Sequence, residues 1–185
     1  MKRFYALFFV MTFIVFSTAR SQTVAVKSNL LYDATSTVNL GLEFGLSQKW
    51  TLEFPVNYNP WDFGENRKLK HWMIQPEVRH WFCQKFNGHF VGLHGHIGGY
   101  NLGGVGLIGL KDFRYEGSFY GAGFSYGYHW ILNSRLSLEA TIGLGYALLD
   151  YTKFKCEKCA EKIKDNTKNY LGPTKAGVSL IYIIR

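Results

Sequence analysis

From Ser118 to Leu148 the chain alternates with a period of two on both sides of the turn Leu132-Asn133-Ser134-Arg135. Tyr120, Ala122, Phe124, Tyr126, Tyr128 and Trp130 fall on one face, and Gly121, Gly123, Ser125, Gly127 and His129 on the other. Leu136, Leu138, Ala140, Ile142, Leu144, Tyr146 and Leu148 alternate in the same way with Ser137, Glu139, Thr141, Gly143, Gly145 and Ala147. A period of two places successive side chains on opposite faces, so the stretch predicts two strands and not a helix. Both exceed the usual strand of about 5–6 residues.

The same alternation recurs along the chain. A first strand is expected from Thr23 to Tyr32, with Lys27 and Asn29 opposite the apolar row, and a short connection follows at Asp33 to Ser36. A second strand carries Val38 to Leu46, a third Trp50 to Tyr58, a fourth Trp72 to Phe82, and a fifth, glycine-rich one Phe90 to Tyr100. The hairpin at 118–148 supplies the sixth and seventh, and Thr174, Ala176, Val178, Leu180, Tyr182 and Ile184 form the apolar row of an eighth. Turns near 47–49, 83–88 and 132–135 are short; loops at 59–70, 101–117 and 150–169 are long. Eight strands with short turns at one end and long loops at the other predict an all-β fold, an eight-stranded antiparallel up-and-down transmembrane β-barrel of the outer-membrane kind. Pro55 and Pro76 cannot donate to a ladder, and local bulges are expected there.

Which face points inward follows from volume. The interior of an eight-stranded barrel is only just filled by side chains. Eight rows of large apolar residues would overfill it, whereas glycine, serine and threonine suit it. A soluble, lipocalin-like barrel with the apolar face inside is therefore disfavoured. Trp50, Tyr58, Trp72, Trp130 and Tyr182 stand near strand ends, as interfacial girdles do.

The first residues add a location. Lys2 and Arg3 precede an apolar run from Phe4 to Phe16, and Ala19 and Ser21 are small. Residues 1–21 read as a secretory signal peptide cut after Ser21, leaving 22–185 as the barrel domain. The apolar run is short for the ~20 residues that a membrane-spanning helix needs. The formal net charge of +8 falls to +5 once Lys2, Arg3 and Arg20 leave. An exported chain of this charge points to outer-membrane lipid and other surface partners, and not to nucleic acid.

Candidate chemistry is sparse. Glu43, Glu53, Glu77, Arg79, His129 and Glu139, together with Lys27 and Lys175, belong to the inward rows and predict a lumen network of paired charges that argues against an open channel. His94 and His96 share a face and are the candidate metal ligands; the paired-charge reading is preferred, with no metal and no cofactor. Ser125, His129 and Glu139 have the residue types of a hydrolase triad. Ser125 and His129 are four apart on one strand, so their α-carbons lie ~13 Å apart, against the ~3 Å reach a nucleophile and base require. No catalytic residue is assigned; a lipid-modifying enzyme and a narrow pore remain the alternatives. Gly104-Val105-Gly106-Leu107-Ile108-Gly109 matches G-x-G-x-x-G without the βαβ context of a dinucleotide site. The apolar run Leu102 to Leu110 would extend a strand or form a loop tip for a partner. Cys156 and Cys159 are expected to form a local loop disulfide, and Cys83, at the opposite end of the barrel, is expected to pair with neither.

Several stretches recur together: Lys27-Ser28-Asn29-Leu30-Leu31-Tyr32-Asp33, Tyr58-Asn59-Pro60-Trp61, Lys70-His71-Trp72 through Glu77-Val78-Arg79-His80-Trp81-Phe82, Gly88-His89-Phe90-Val91-Gly92, Tyr120-Gly121-Ala122-Gly123, Glu139-Ala140-Thr141-Ile142-Gly143 and Gly172-Pro173-Thr174-Lys175-Ala176-Gly177. With them the chain resembles a Bacteroidetes family of exported β-barrels classed as a domain of unknown function, often encoded near fimbrillin-type genes. The resemblance covers nearly all of the mature chain. It implies an outer-membrane location and a link to surface fimbriae, and it carries no catalytic residue. Outer-membrane barrels commonly end in an aromatic residue; here Arg185 is last and Tyr182 the nearest aromatic. The expected role is structural or interactive, through the long outer loops, with fimbrial or other surface proteins as partners.

Overall fold

The computed structural model describes residues 23–61, 68–103, 113–155 and 162–184. The predicted signal peptide, the Gly104–Gly109 motif, and Cys156 and Cys159 with their expected disulfide lie outside the described residues.

In chain order the elements are β1 (Val24–Asn29), α1 (Leu30–Ala34), β2 (Val38–Gly45), β3 (Trp50–Asn59), β4 (Lys68–Ile74), β5 (Glu77–Trp81), β6 (Gly88–Gly103), β7 (Phe113–Ile131), β8 (Leu136–Lys155) and β9 (Lys162–Ile184). Every pairing is antiparallel, and β9 returns to pair with β1, Val24 opposite Ile184. β4 and β5 occupy one position in the wall, both between β3 and β6. The result is the expected closed, eight-stranded antiparallel up-and-down barrel. No helix among the described residues is long and apolar enough to cross a membrane.

The break between β4 and β5 corrects the expectation of bulges at the prolines. Val56 faces Ile74 on one side of the break and Glu53 faces Glu77 on the other, so the register runs through with no extra residue. Toward β6 the register is also continuous, from Ile74–Ile97 to Glu77–His94. Pro55 and Pro76 still accept, from the backbone N–H of Gln75 (3.2 Å) and of Gly95 (3.0 Å). Each proline costs the ladder one donor and leaves its geometry intact.

The register shifts lie elsewhere, both between β8 and β9: one at Lys153–Phe154, toward the hairpin, and one at Gly143–Leu144. On β9, Lys175 faces Gly143 but Pro173 faces Leu144, leaving Thr174 as the extra residue. One extra residue reverses the alternation beyond it. Thr174, expected in the outward apolar row, therefore turns inward, and Leu171 becomes the outward residue at 83% exposure.

Two further expectations are corrected. The first strand ends at Asn29 and gives way to a helical turn at 30–34, so Leu30 and Tyr32 are not strand residues. The Asn29 side chain caps that turn by accepting from Leu31 N–H (3.1 Å), as N-cap asparagines do. The Asp33 carboxylate draws the chain round by accepting from Ser28 (2.8 Å) and Asn39 (2.7 Å). The long loops are also shorter than expected. Pairing continues from Tyr100–Gly117 to Gly103–Arg114 and from Asp150–Thr167 to Phe154–Lys162. Alternating Tyr, Thr and Phe sustain a ladder even where lysines punctuate it.

At the end that carries the short turns, the barrel is stoppered. Trp81, Phe86, Phe90, Ala25, Ile181 and Ile183 form one buried apolar cluster. Phe86 reaches it from the turn at the expense of a positive φ of 60°, a conformation non-glycine residues avoid. Trp81 anchors the cluster and donates its indole N–H to Thr51 Oγ1 (2.9 Å). Trp81→Ala is expected to cost ~3–5 kcal/mol of stability in denaturant unfolding followed by circular dichroism, and Trp81→Phe, which keeps a ring in place, less than half as much.

Candidate functional site

The inward rows of β1, β2, β3, β5, β8 and β9 converge on one cluster of charges. Glu43 stands directly opposite Glu53, and Glu53 opposite Glu77, so three carboxylates line up across three neighbouring wall positions. Like charges in such pairs repel. Arg79 resolves this from the middle. Its Nε donates to Glu77 Oε1 (2.6 Å), its Nη1 meets Glu43 and Glu139 (both 3.1 Å), and its Nη2 pairs with Glu53. Lys27 adds contacts to Glu43 (2.6 Å) and Glu139 (2.8 Å), and Lys175 to Glu77 (2.8 Å) and Glu53 (3.1 Å). Thr51 and Thr141 hydroxyls donate to Glu43 and Glu139 at 2.5 Å and 3.0 Å. Four carboxylates thus share three cations, all but Lys175 at least nine-tenths buried.

All six residues predicted for the lumen network, Glu43, Glu53, Glu77, Arg79, His129 and Glu139, are placed inside the barrel. His129 contributes least. It stands opposite Glu139, but its Nδ1 is 3.6 Å from the carboxylate, beyond hydrogen-bond length. Neither of its ring nitrogens has a hydrogen-bond partner; its ring packs edge-on against Trp81, at 5.5 Å. Arg79 stacks over Phe90, 4.5 Å from the ring centre, so the charged layer rests on the apolar stopper through a cation–π contact.

The charged layer has little room left. A Cβ at Gly92 would lie 2.5 Å from Ser125 Oγ and 2.6 Å from Glu77 Oε1. The cavity between Arg79, Glu53, Glu139 and Lys175 measures about 40 Å³, space for a water and little more.

His94 and His96 lie on one face with ring centres 5.8 Å apart. His94 Nε2 is tied to Thr174 Oγ1 at 3.0 Å, and among the described residues no three His, Cys, Asp or Glu side chains converge as metal ligands. Ser125 stands opposite Gly143, while His129 stands opposite Glu139, four residues further along β7. Ser125 Oγ has no hydrogen-bond partner, so the three are not arranged as nucleophile, base and orienting acid. Cys83 is a free, exposed thiol on the β5–β6 turn. What sequence reasoning missed is the stopper: Trp81 and Phe90 were inward by parity, but a lone aromatic in a polar row gives no sign that others join it across the barrel.

These features define a closed β-barrel with a tightly packed, ion-paired layer across its lumen. A family model described as "Protein of unknown function (DUF3575)" matches residues 6–184, and the chain belongs to that family. Comparison with curated proteins finds no match, and comparison with solved structures finds none.

Arg79→Met leaves four buried carboxylates with two lysines. It is expected to destabilise by ~3–5 kcal/mol, the usual cost of removing one partner from a buried ion pair. Adding Glu53→Gln to it recovers part of that loss, because the two sites share one network; a double-mutant cycle in urea measures both.

Proposed function

We propose that this protein is an integral outer-membrane β-barrel with a sealed lumen, acting as a surface platform whose outer hairpins engage other proteins, fimbrial subunits among them. The observation that carries this reading is the inversion of polarity across the wall. Phe124, Ile142, Leu144 and Leu171 are 61–83% exposed, while the interior holds Arg79, Lys27 and four glutamates. An apolar face running round the whole barrel far exceeds the few hundred Å² that soluble proteins expose. Lipid is the solvent in which it is stable, and a closed barrel leaves no backbone group unpaired there. Exposed Tyr58 and Trp72 stand toward one end and Trp50, Trp130 and Tyr182 toward the other, the placement of two interfacial girdles.

The sealed lumen supports a platform over a pore. Strand length supports an outward role as well. β7, β8 and β9 have 19, 20 and 23 residues, and ~9–11 suffice to span a bilayer. About half of each strand would then stand beyond the membrane and carry its hairpin outward.

Outer-membrane fractions should give a fast gel band in SDS that slows on boiling. A soluble protein without the shift would replace this reading with a lipocalin-like carrier. In the bilayer, Leu144→Arg should cost ~2–4 kcal/mol and Thr141→Ser little; equal costs in a urea-unfolding series would mean that the faces are reversed. In planar bilayers the protein should show no steady conductance. Replacing residues 156–161 with a Gly-Ser stretch should spare the heat shift but abolish capture of fimbrial subunits.

A further inference from the structure

Beyond the charge network, toward the β6–β7 hairpin, the inward rows change character. Met73, Phe119, Ala147, Leu149 and Tyr170, with His96, line a chamber of about 230 Å³. Two glycines make the space for its walls. A Cβ at Gly98 would lie 2.5 Å from the Phe119 ring, and one at Gly121 would lie 2.7 Å from His96 Nε2. Thr174, brought inside by the bulge, also reaches the chamber, but its hydroxyl is already engaged by His94. His96 is different. It is 6% exposed, its Nδ1 is buried without a hydrogen-bond partner, and its ring centre lies 5.8 Å from that of His94 and 6.1 Å from that of Phe119. Nδ1 is closed to water-sized groups, so a ligand in the chamber would meet this ring at Nε2.

Size and chemistry together narrow what fits. A cavity of ~150 Å³ takes benzene, and drug-sized sites begin at ~300 Å³. This chamber therefore suits one ring with a substituent. A plain hydrocarbon chain would leave His96 unpaired. A charged ligand would find no counter-charge, because Lys175 and Glu77 are committed to each other at 2.8 Å. Aromatic faces and a thioether favour a ring. We propose that the outer chamber binds a small neutral aromatic molecule, a single ring bearing one hydrogen-bonding group, with the ring against Phe119 and Tyr170 and the polar group on His96. The inference stands on the inside of the barrel and is independent of which solvent meets its outer face.

Fluorine NMR of 4-fluorophenol and of fluorobenzene, titrated into the full protein in a non-ionic detergent, tests it. Saturable binding of both is expected, with 4-fluorophenol roughly fivefold tighter, the worth of one hydrogen bond. His96→Phe should equalise the two, and Ala147→Phe should abolish both. Circular dichroism and gel mobility show whether each variant is folded; if Ala147→Phe is not, Leu149→Trp fills the same space. Non-saturable partitioning that the variants leave unchanged would overturn the proposal. So would equal binding of the two probes to the unaltered protein. Cross-relaxation of a detergent alkyl chain with the Phe119 ring, undisturbed by 4-fluorophenol, would overturn it in favour of a hydrocarbon chain.

Discussion

The barrel depends on one guanidinium. Arg79 sits where carboxylates from β2, β3, β5 and β8 meet, and two of the wall contacts it spans, Glu43–Glu53 and Glu53–Glu77, are like-charge pairs. Without a cation across them these strands could not close in this register. With it, the register is fixed. A slip of one residue in β2 or β3 would carry Glu43 or Glu53 to the outside and an apolar side chain into the lumen. Desolvating the network's four carboxylates and three cations offsets much of what their attraction returns. Its contribution is to make one arrangement of the strands far better than its neighbours. Stability comes from the closed ladder and from the aromatic stopper on which Arg79 rests.

The interior is layered along the barrel axis, and each layer depends on the next. The apolar stopper around Trp81 closes one end. The charged layer above it is dry enough for its ion pairs to be strong, because the stopper and the close approach at Gly92 leave so little space. Above His94 the residues become apolar again, but here they do not fill the volume. Thr174 joins these last two layers: its hydroxyl bonds His94 Nε2 from a position that exists because β9 carries an extra residue at this point.

Most of this architecture is legible as a period of two. Alternation gives the strands, the inward identities of Glu43, Glu53, Glu77, Arg79 and Glu139, and the outward apolar rows, because a pleated strand translates parity directly into side. What parity cannot give is a local change of parity. The bulge at Thr174 inverts the assignment of β9 from there to the second register shift, between Lys164 and Lys162, and nothing in Gly172-Pro173-Thr174-Lys175 distinguishes it from an ordinary interruption. Pro55 and Pro76 were the more conspicuous signals, yet each loses only a donor, and their carbonyls keep the ladder in step. The helical turn after Asn29 was hidden for another reason. Leu30 and Tyr32 continue the strand pattern, and only the capping bonds of Asn29 and the pull on Asp33 override it. The chamber was hidden because it needs inward residues from five strands at one height, and height depends on register.

The two ends of the molecule are unequal in a way that bears on its role. β1 and β2 have 6 and 8 residues, whereas β8 and β9 have 20 and 23. The wall is therefore much taller on the β6–β9 side, and all of the extra height lies at the end away from the stopper. The closed end offers tight turns and a buried aromatic cluster. The tall side continues as paired strands as far as Gly103–Arg114 and Phe154–Lys162. The unfilled chamber opens toward the same end. The charged layer closes the lumen across its middle, and the apolar recess lies on the far side of it from the stopper.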